Sequence, residues 1–269
     1  MRTLRFALLA AVLAACEEKE SAWKVDAAWL ADARWDDGAA VVSVYRGRFM
    51  KYGAWREAEV RDYLIREHLH RGELTKREEP GEDTVPVLKV NRHVRFSTGT
   101  YEYRLMHSLF LSRETGALVK AVASSQDGCG LTFQRWESGD RVHRWDSYWP
   151  GEGRGERGVP KKGMTFFADE VPFLAASMAD GAACEELPSL LGSSAAAARA
   201  DGRRVKRDGG AVVVLGDKGD VHARYEVDAE GILTRWTVAG EQEFERVSKR
   251  RLYYWQHTAP GDEKLLEGE

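Results

Sequence analysis

Apolar and polar side chains alternate with a period of two along most of this chain, from about residue 39 onward. Such alternation marks strands with one buried face. Residues 39–45 read as a first strand. Residues 84–97 place Leu88, Val90, Val94 and Phe96 on one face, with Arg92 breaking the set. Residues 101–111 bring Tyr101, Tyr103, Leu105, His107, Leu109 and Leu111 together, and 118–124, 131–136 and 141–149 are shorter candidates. Val221, Ala223, Tyr225 and Val227 then alternate with polar neighbours. After Asp228, Ala229, Glu230 and Gly231 the pattern resumes with Ile232, Thr234, Trp236 and Val238, which predicts a hairpin. Residues 243–255 supply a last strand.

Five segments depart from this pattern. Residues 21–35 place Trp23, Ala27, Leu30 and Arg34 on one helical face. Residues 55–69 fit a helix through Val60, Tyr63, Leu64 and Leu69, while residues 60–65 also fit a strand. Residues 169–179 and 185–199 look helical, the second rich in Ala and Ser, while 75–83, with Pro80 and Gly81, form a loop. Strands without long intervening helices argue against a βαβ fold. The expected class is mainly β (α+β): a curved antiparallel sheet or half-barrel with a few helices inserted.

Composition narrows the classes further. The 269 residues carry 40 Lys+Arg against 43 Asp+Glu, and 43% are hydrophobic. These proportions exclude a disordered or collagen-like chain. Near-neutral charge argues against a nucleic-acid partner.

The N-terminus carries the most specific signal. Arg2 and Arg5 precede an uncharged apolar run over residues 6–15. That run is too short for a bilayer span, which needs about 20 residues, and has the layout of a secretory signal. Leu13, Ala14, Ala15 and Cys16 resemble the bacterial lipobox at all four positions. The resemblance implies cleavage before Cys16, two acyl chains (palmitate or similar) on its sulfur and a third on the new amine. More than one buried chain, at about 0.8 kcal/mol per methylene, makes attachment to a membrane stable. By the sorting rule of enteric lipoproteins, Glu17 in place of Asp implies the outer membrane, on its periplasmic side. The expected organisation is a signal over 1–15, a lipidated tether and short helix over 16–38, a β domain over 39–259 with a helical insert near 165–200, and a flexible tail over 260–269.

An oxidising compartment makes Cys129 and Cys184 candidates for a disulfide. Other chemistry is sparse. His68 and His70 are too close for the helical i,i+4 metal pair, and no metal or cofactor is expected. The glycine-dense stretch 151–158 lacks the Lys-Ser/Thr pair of a phosphate loop and reads as a hairpin connection. His107 reads as a core histidine. Cys129, in a Ser-Gln-Asp-Gly-Cys-Gly loop, would act as a nucleophile only beside a base such as His107 or His143. The basic stretches 199–207 and 246–251 read as solvated faces with some reach to anionic headgroups. Trp136, Trp145, Trp149, Trp236 and Trp255 fall on predicted strands, either packing the core or lining a groove for a greasy ligand.

Residues 84–136 resemble a family of uncharacterised bacterial lipoproteins. The likeness rests on Val85-Pro86-Val87-Leu88-Lys89-Val90-Asn91, on Tyr101-Glu102-Tyr103 leading to Ser108-Leu109-Phe110, and on Ser125 through Gly130 before Phe133. Such sequences sometimes carry a septum formation inhibitor name, but the Ser-Pro-Arg-Arg substrate motif of that pyrophosphatase family is absent. The order of elements after residue 165 is similar to the half-barrel of periplasmic lipoprotein carriers. The function expected is a non-enzymatic, membrane-anchored lipoprotein binding an apolar envelope ligand or a protein partner. The alternatives are a structural envelope lipoprotein without a small-molecule site, and a hydrolase using Cys129 or His107.

Overall fold

The computed structural model describes residues 27–159, 166–175, 178, 183–187 and 203–267. The signal, Cys16, Trp23 and residues 188–202 therefore lie outside the described residues. The elements in chain order are α1 (Ala27–Ala31), β1 (Ala40–Lys51), β2 (Ala54–His70), β3 (Lys76–Arg77), β4 (Thr84–Ser97), β5 (Glu102–Ser112), β6 (Leu118–Gln126), β7 (Leu131–Glu137), β8 (Val142–Ser147) and β9 (Arg154–Gly158). They continue as β10 (Phe166–Phe167), α2 (Val171–Leu174), β11 (Ala183–Leu187), β12 (Arg203–Asp208), β13 (Ala211–Leu215), β14 (Val221–Val227), β15 (Leu233–Val238) and β16 (Gln242–Leu252).

All of these strands join one sheet. Its order runs β10-β11-β12-β13-β14-β15-β16-β1-β2-β4-β5-β6-β7-β8-β9, with β3 on β2. Every pairing is antiparallel except β10 on β11. The path does not close: β9 and β10 end it. It nevertheless curls strongly, because Trp136 on β7 and Phe167 on β10, near opposite ends of the order, have ring centroids 5.5 Å apart. One core cluster accordingly takes residues from both arms, including Tyr45, Val60, Leu105, Val212, Ala223 and Trp236. Gly47 lets the arms meet at the β1–β16 seam, since a Cβ there would collide with the backbone of Glu243.

The expected face assignment holds in the core. Tyr103, Leu105, Leu109 and Trp236 are buried, whereas Arg104 and Arg235 are exposed. Val221 departs from it. Its side chain is 53% exposed, because a register shift between Val214 and Leu215 carries the start of β14 off the inward face. The ambiguous segment 55–69 lies within β2, a 17-residue strand paired with β1 on one side and β4 on the other.

The helical expectations shrink. Among the described residues of 169–179 the α-helix spans α2, and residues 185–187 belong to β11, where Glu185 faces Arg204. The expected tail is not loose over residues 262–266. That stretch forms a 3-10 helix whose Leu266, 9% exposed, packs with Ala40, Val42 and Val44 on the convex face. Trp149 and Trp255 lie beyond the strands predicted to hold them, Trp255 in a 3-10 turn over Tyr254–Gln256.

A candidate ligand site on the concave face

Inward positions form rows across the sheet, and the register defines them. One row passes from Val41 through Leu64, Val90, Leu109 and Ala121 to Trp136. Another passes from Tyr45 through Val60 and Val94 to Leu105. Between these two apolar rows runs a polar one: Lys249, Ser43, Asp62, Arg92, His107, then Ala123 and Gln134.

The middle of the polar row is tightly built. Arg92 donates through Nε and Nη2 to the two carboxylate oxygens of Asp62, each at 2.7 Å. The side chains are 11% and 8% exposed. Burial works against the guanidinium charge, but the carboxylate of Asp62 outweighs it and holds Arg92 above its ordinary pKa. A planar guanidinium suits this bidentate geometry and also stacks on rings. Arg92 lies 4.7 Å from the Trp236 ring centroid and 4.9 Å from that of Phe173. Tyr45, edge-on to Trp236, donates its hydroxyl to the Leu233 carbonyl at 3.2 Å, and burial raises its pKa.

Phe173 belongs to the segment that fills the concavity. Phe167, Val171, Ala175 and Met178 are buried in the main cluster, and Phe173 packs against it. Glu170, fully buried, accepts from the Phe167 backbone N–H at 2.8 Å, and Arg207 of β12 donates to the Ala175 carbonyl. The segment thus covers the sheet as a plug made of one helical turn and its flanks. Among the described residues, the space left beside it is a cavity of about 30 Å³, lined by Trp29, Ser43, Tyr45, Asp62, Leu88 and Phe173. That holds water but not an acyl chain.

His107 is half-buried on the inward face, opposite Arg92. Burial lowers its pKa, while the negative charge of Asp169, in the turn leading into α2, opposes that shift. His143 is fully buried, with Nε2 3.1 Å from Gln134 Oε1, and burial pushes its pKa down to about 4.

Cys129 stands elsewhere. It is an exposed free thiol in the β6–β7 turn, where its N–H donates to Asp127 Oδ1 at 2.6 Å. The expected bond to Cys184 is therefore not formed here. Cys184 sits opposite Val205 near the other end of the strand order, and its side chain lies outside the described residues. Nor is a Cys–His dyad assembled. His107 pairs with Ala123, about 10 Å along the strand before β6 ends at Gln126, and Cys129 lies in the turn beyond that end. His68 meets Arg66, and His70 meets Asp83 at 3.3 Å. Of the tryptophans, Trp136 and Trp236 pack the core at 2% exposure, while Trp145 and Trp149 are half-buried and Trp255 is exposed.

Sequence reading found Arg92 and His107 but not their alignment. Asp62 lies on another strand, and only the register places it beside Arg92. The one visible signal was a charge breaking an apolar face.

No family model matches the chain, and no curated protein matches it. Among solved structures it is similar to a β-barrel-like protein of the domain of unknown function DUF1849 from Brucella abortus. That match has 8% identity and a TM-score of 0.43, over 79% of this chain and 98% of the other. It is also similar to a DUF1089 family protein, PA1994, from Pseudomonas aeruginosa, with 18% identity and a TM-score of 0.38, over 57% of this chain and 84% of the other. Neither name specifies an activity or a ligand.

Proposed function

We propose that this chain is a non-enzymatic lipoprotein, tethered through acyl chains on Cys16 to the periplasmic side of the outer membrane, whose half-barrel takes up an apolar envelope ligand on its concave face. The observation that carries this reading is how that face is covered. A sheet with two apolar inward rows is normally buried against a second sheet or against long helices. Among the described residues, the cover here is one helical turn with its flanks, packed on the guanidinium of Arg92 through Phe173. Withdrawal of the plug would bare the apolar rows together with the polar row between them. A ligand chain would then replace Phe167, Val171 and Phe173, and its polar group would accept from Arg92 or His107.

The test is uptake of a fluorescent fatty-acyl probe by the full chain. Phe173→Ala is expected to raise probe affinity several-fold by loosening the cover, and Arg92→Leu to shift the preference from acyl chains with a carboxylate toward uncharged ones. No uptake by the wild type and by Phe173→Ala alike would overturn the reading.

The small cavity favours a second reading, a structural envelope lipoprotein without a small-molecule site. Under that reading the plug is permanent core, and Phe173→Ala only destabilises.

A further inference from the structure

We propose that the segment following β16, centred on Tyr253 and Trp255, is a membrane-contact surface that lays the tethered domain against a bilayer with anionic headgroups. The inference rests on the lipid anchor at Cys16 proposed above, and its test separates the two.

The patch begins with an exposed aromatic pair. Tyr253 is 40% exposed and Trp255 45%, in a protein whose other described tryptophans are at least half-buried. Their rings meet edge-to-face at 5.6 Å, and Trp255 also meets Tyr254 at 5.2 Å. Tyr254 is tied into the domain by Tyr63 at 4.8 Å, so the pair projects from a fixed base.

Its surroundings are selective in charge. Residues 247–261 contain no Asp or Glu, although the chain carries 43 of them, while Arg250 and Arg251 precede the aromatics and Lys249, in the polar row, is paired with Asp228 and Glu230. Tryptophan and tyrosine beside basic residues suit the headgroup level of a bilayer.

The position also fits. β16 ends at Leu252, opposite Ala40, the first residue of β1. Tyr253 donates its hydroxyl to the Asp37 carbonyl at 3.0 Å, and Arg251 pairs with the Asp37 carboxylate at 2.7 Å. The patch therefore surrounds the point where the chain enters the sheet. Eleven residues lead from Cys16 to Ala27, which span at most about 40 Å when extended. Two aromatic rings bind a bilayer weakly on their own. Held within that reach, they dock as an intramolecular event at high effective concentration. Cys129 lies on a turn at the opposite end of the strands and serves as a control.

The experiment uses the full lipidated chain in vesicles of phosphatidylcholine and phosphatidylglycerol with brominated acyl chains. Two readouts are taken: retention on vesicles after a high-salt wash, and bromine quenching of tryptophan emission in wild type and Trp255→Phe. The expected result is retention, with most of the quenching lost in Trp255→Phe and a polarity-sensitive dye on Cys129 reporting water. Retention with equal quenching in both proteins, or immersion of the Cys129 dye, overturns the contact and leaves the anchor standing. Release on washing, with quenching through Trp255 seen before the wash, removes the anchor and keeps the contact. Release without quenching overturns both. A Trp255-dependent crosslink to another envelope protein, without quenching, assigns the patch to a protein and also overturns the proposal.

Discussion

Arg92 and Asp62 face each other across β4 and β2, bonded through two nitrogens and two oxygens at 2.7 Å between the two apolar rows of the concave face. Truncating one partner leaves the other charged and buried. Asp62→Ala is expected to cost about 3–5 kcal/mol, whereas the double replacement Asp62→Leu with Arg92→Met should recover most of it. Chemical denaturation of the single and double variants measures the difference. A double variant as unstable as Asp62→Ala would show that the pair is not the source.

The inward row containing Leu105 predicts an asymmetry. Leu105 is 4% exposed, and Leu105→Ala should cost roughly 2–5 kcal/mol. Arg224 points outward with its side chain 42% exposed, paired with Glu226 at 3.1 Å. Arg224→Ala should change stability by less than about 0.5 kcal/mol. Equal effects in denaturant melts would contradict the face assignment.

Acid should weaken the fold through His143. Its folded-state pKa, pushed by burial to about 4, lies below the ordinary value of 6.5, so the unfolded chain takes up the proton first. The stability due to neutral His143 is fully present above pH 6.5 and is lost as the pH falls towards 4. The total is about 3 kcal/mol at 1.36 kcal/mol per pKa unit. Burial lowers the pKa of His107 with the same sign. His143→Gln should flatten the dependence of the unfolding midpoint on pH in this window; a slope unchanged by the substitution would exclude His143 as its source.

Cys129 should react with a thiol reagent in the native protein at the rate of an accessible cysteine. Cys129→Ser should leave stability within about 0.5 kcal/mol of wild type, as for an exposed site without special contacts. Reaction only after unfolding would contradict the exposed position of this thiol.

A methyl group at the seam tests the approach of β1 to β16. Gly47→Ala forces a Cβ against the backbone of Glu243, which cannot swing aside as a side chain would. A loss of about 1–3 kcal/mol is expected, as for overpacking elsewhere. A fully stable variant would mean the two strands separate freely there.

Much of the sheet is legible from local pattern. β4 spans the same residues that the alternation marks, 84–97, because one face is buried and a slip of one residue would expose it. β2 was ambiguous because its apolar residues fit two periods; pairing on both edges decides for a strand. The polar row was not legible. Ser43, Asp62, Arg92 and His107 lie on four strands, and register between strands carries no mark in any one of them. Val221 shows the converse, since a local shift in pairing overrides an intact pattern. Leu266, one of two adjacent leucines in a polar tail, gave no periodic signal for its seat on the convex face.

The pairing of β1 with β16 also dictates the order in which the molecule can assemble. The run from β4 to β9 pairs each strand with the one just before it, so it can form by local steps as the chain emerges. β1 finds β2 early, yet its other edge, from Ala40 to Phe49, has no partner until Gln242–Leu252 has been made. A long apolar edge held open for most of synthesis is a template for wrong pairing, and contacts this distant in sequence form slowly. The closing seam is therefore the step at which a chaperone would be needed. Truncations before residue 242 should aggregate rather than yield a smaller stable domain.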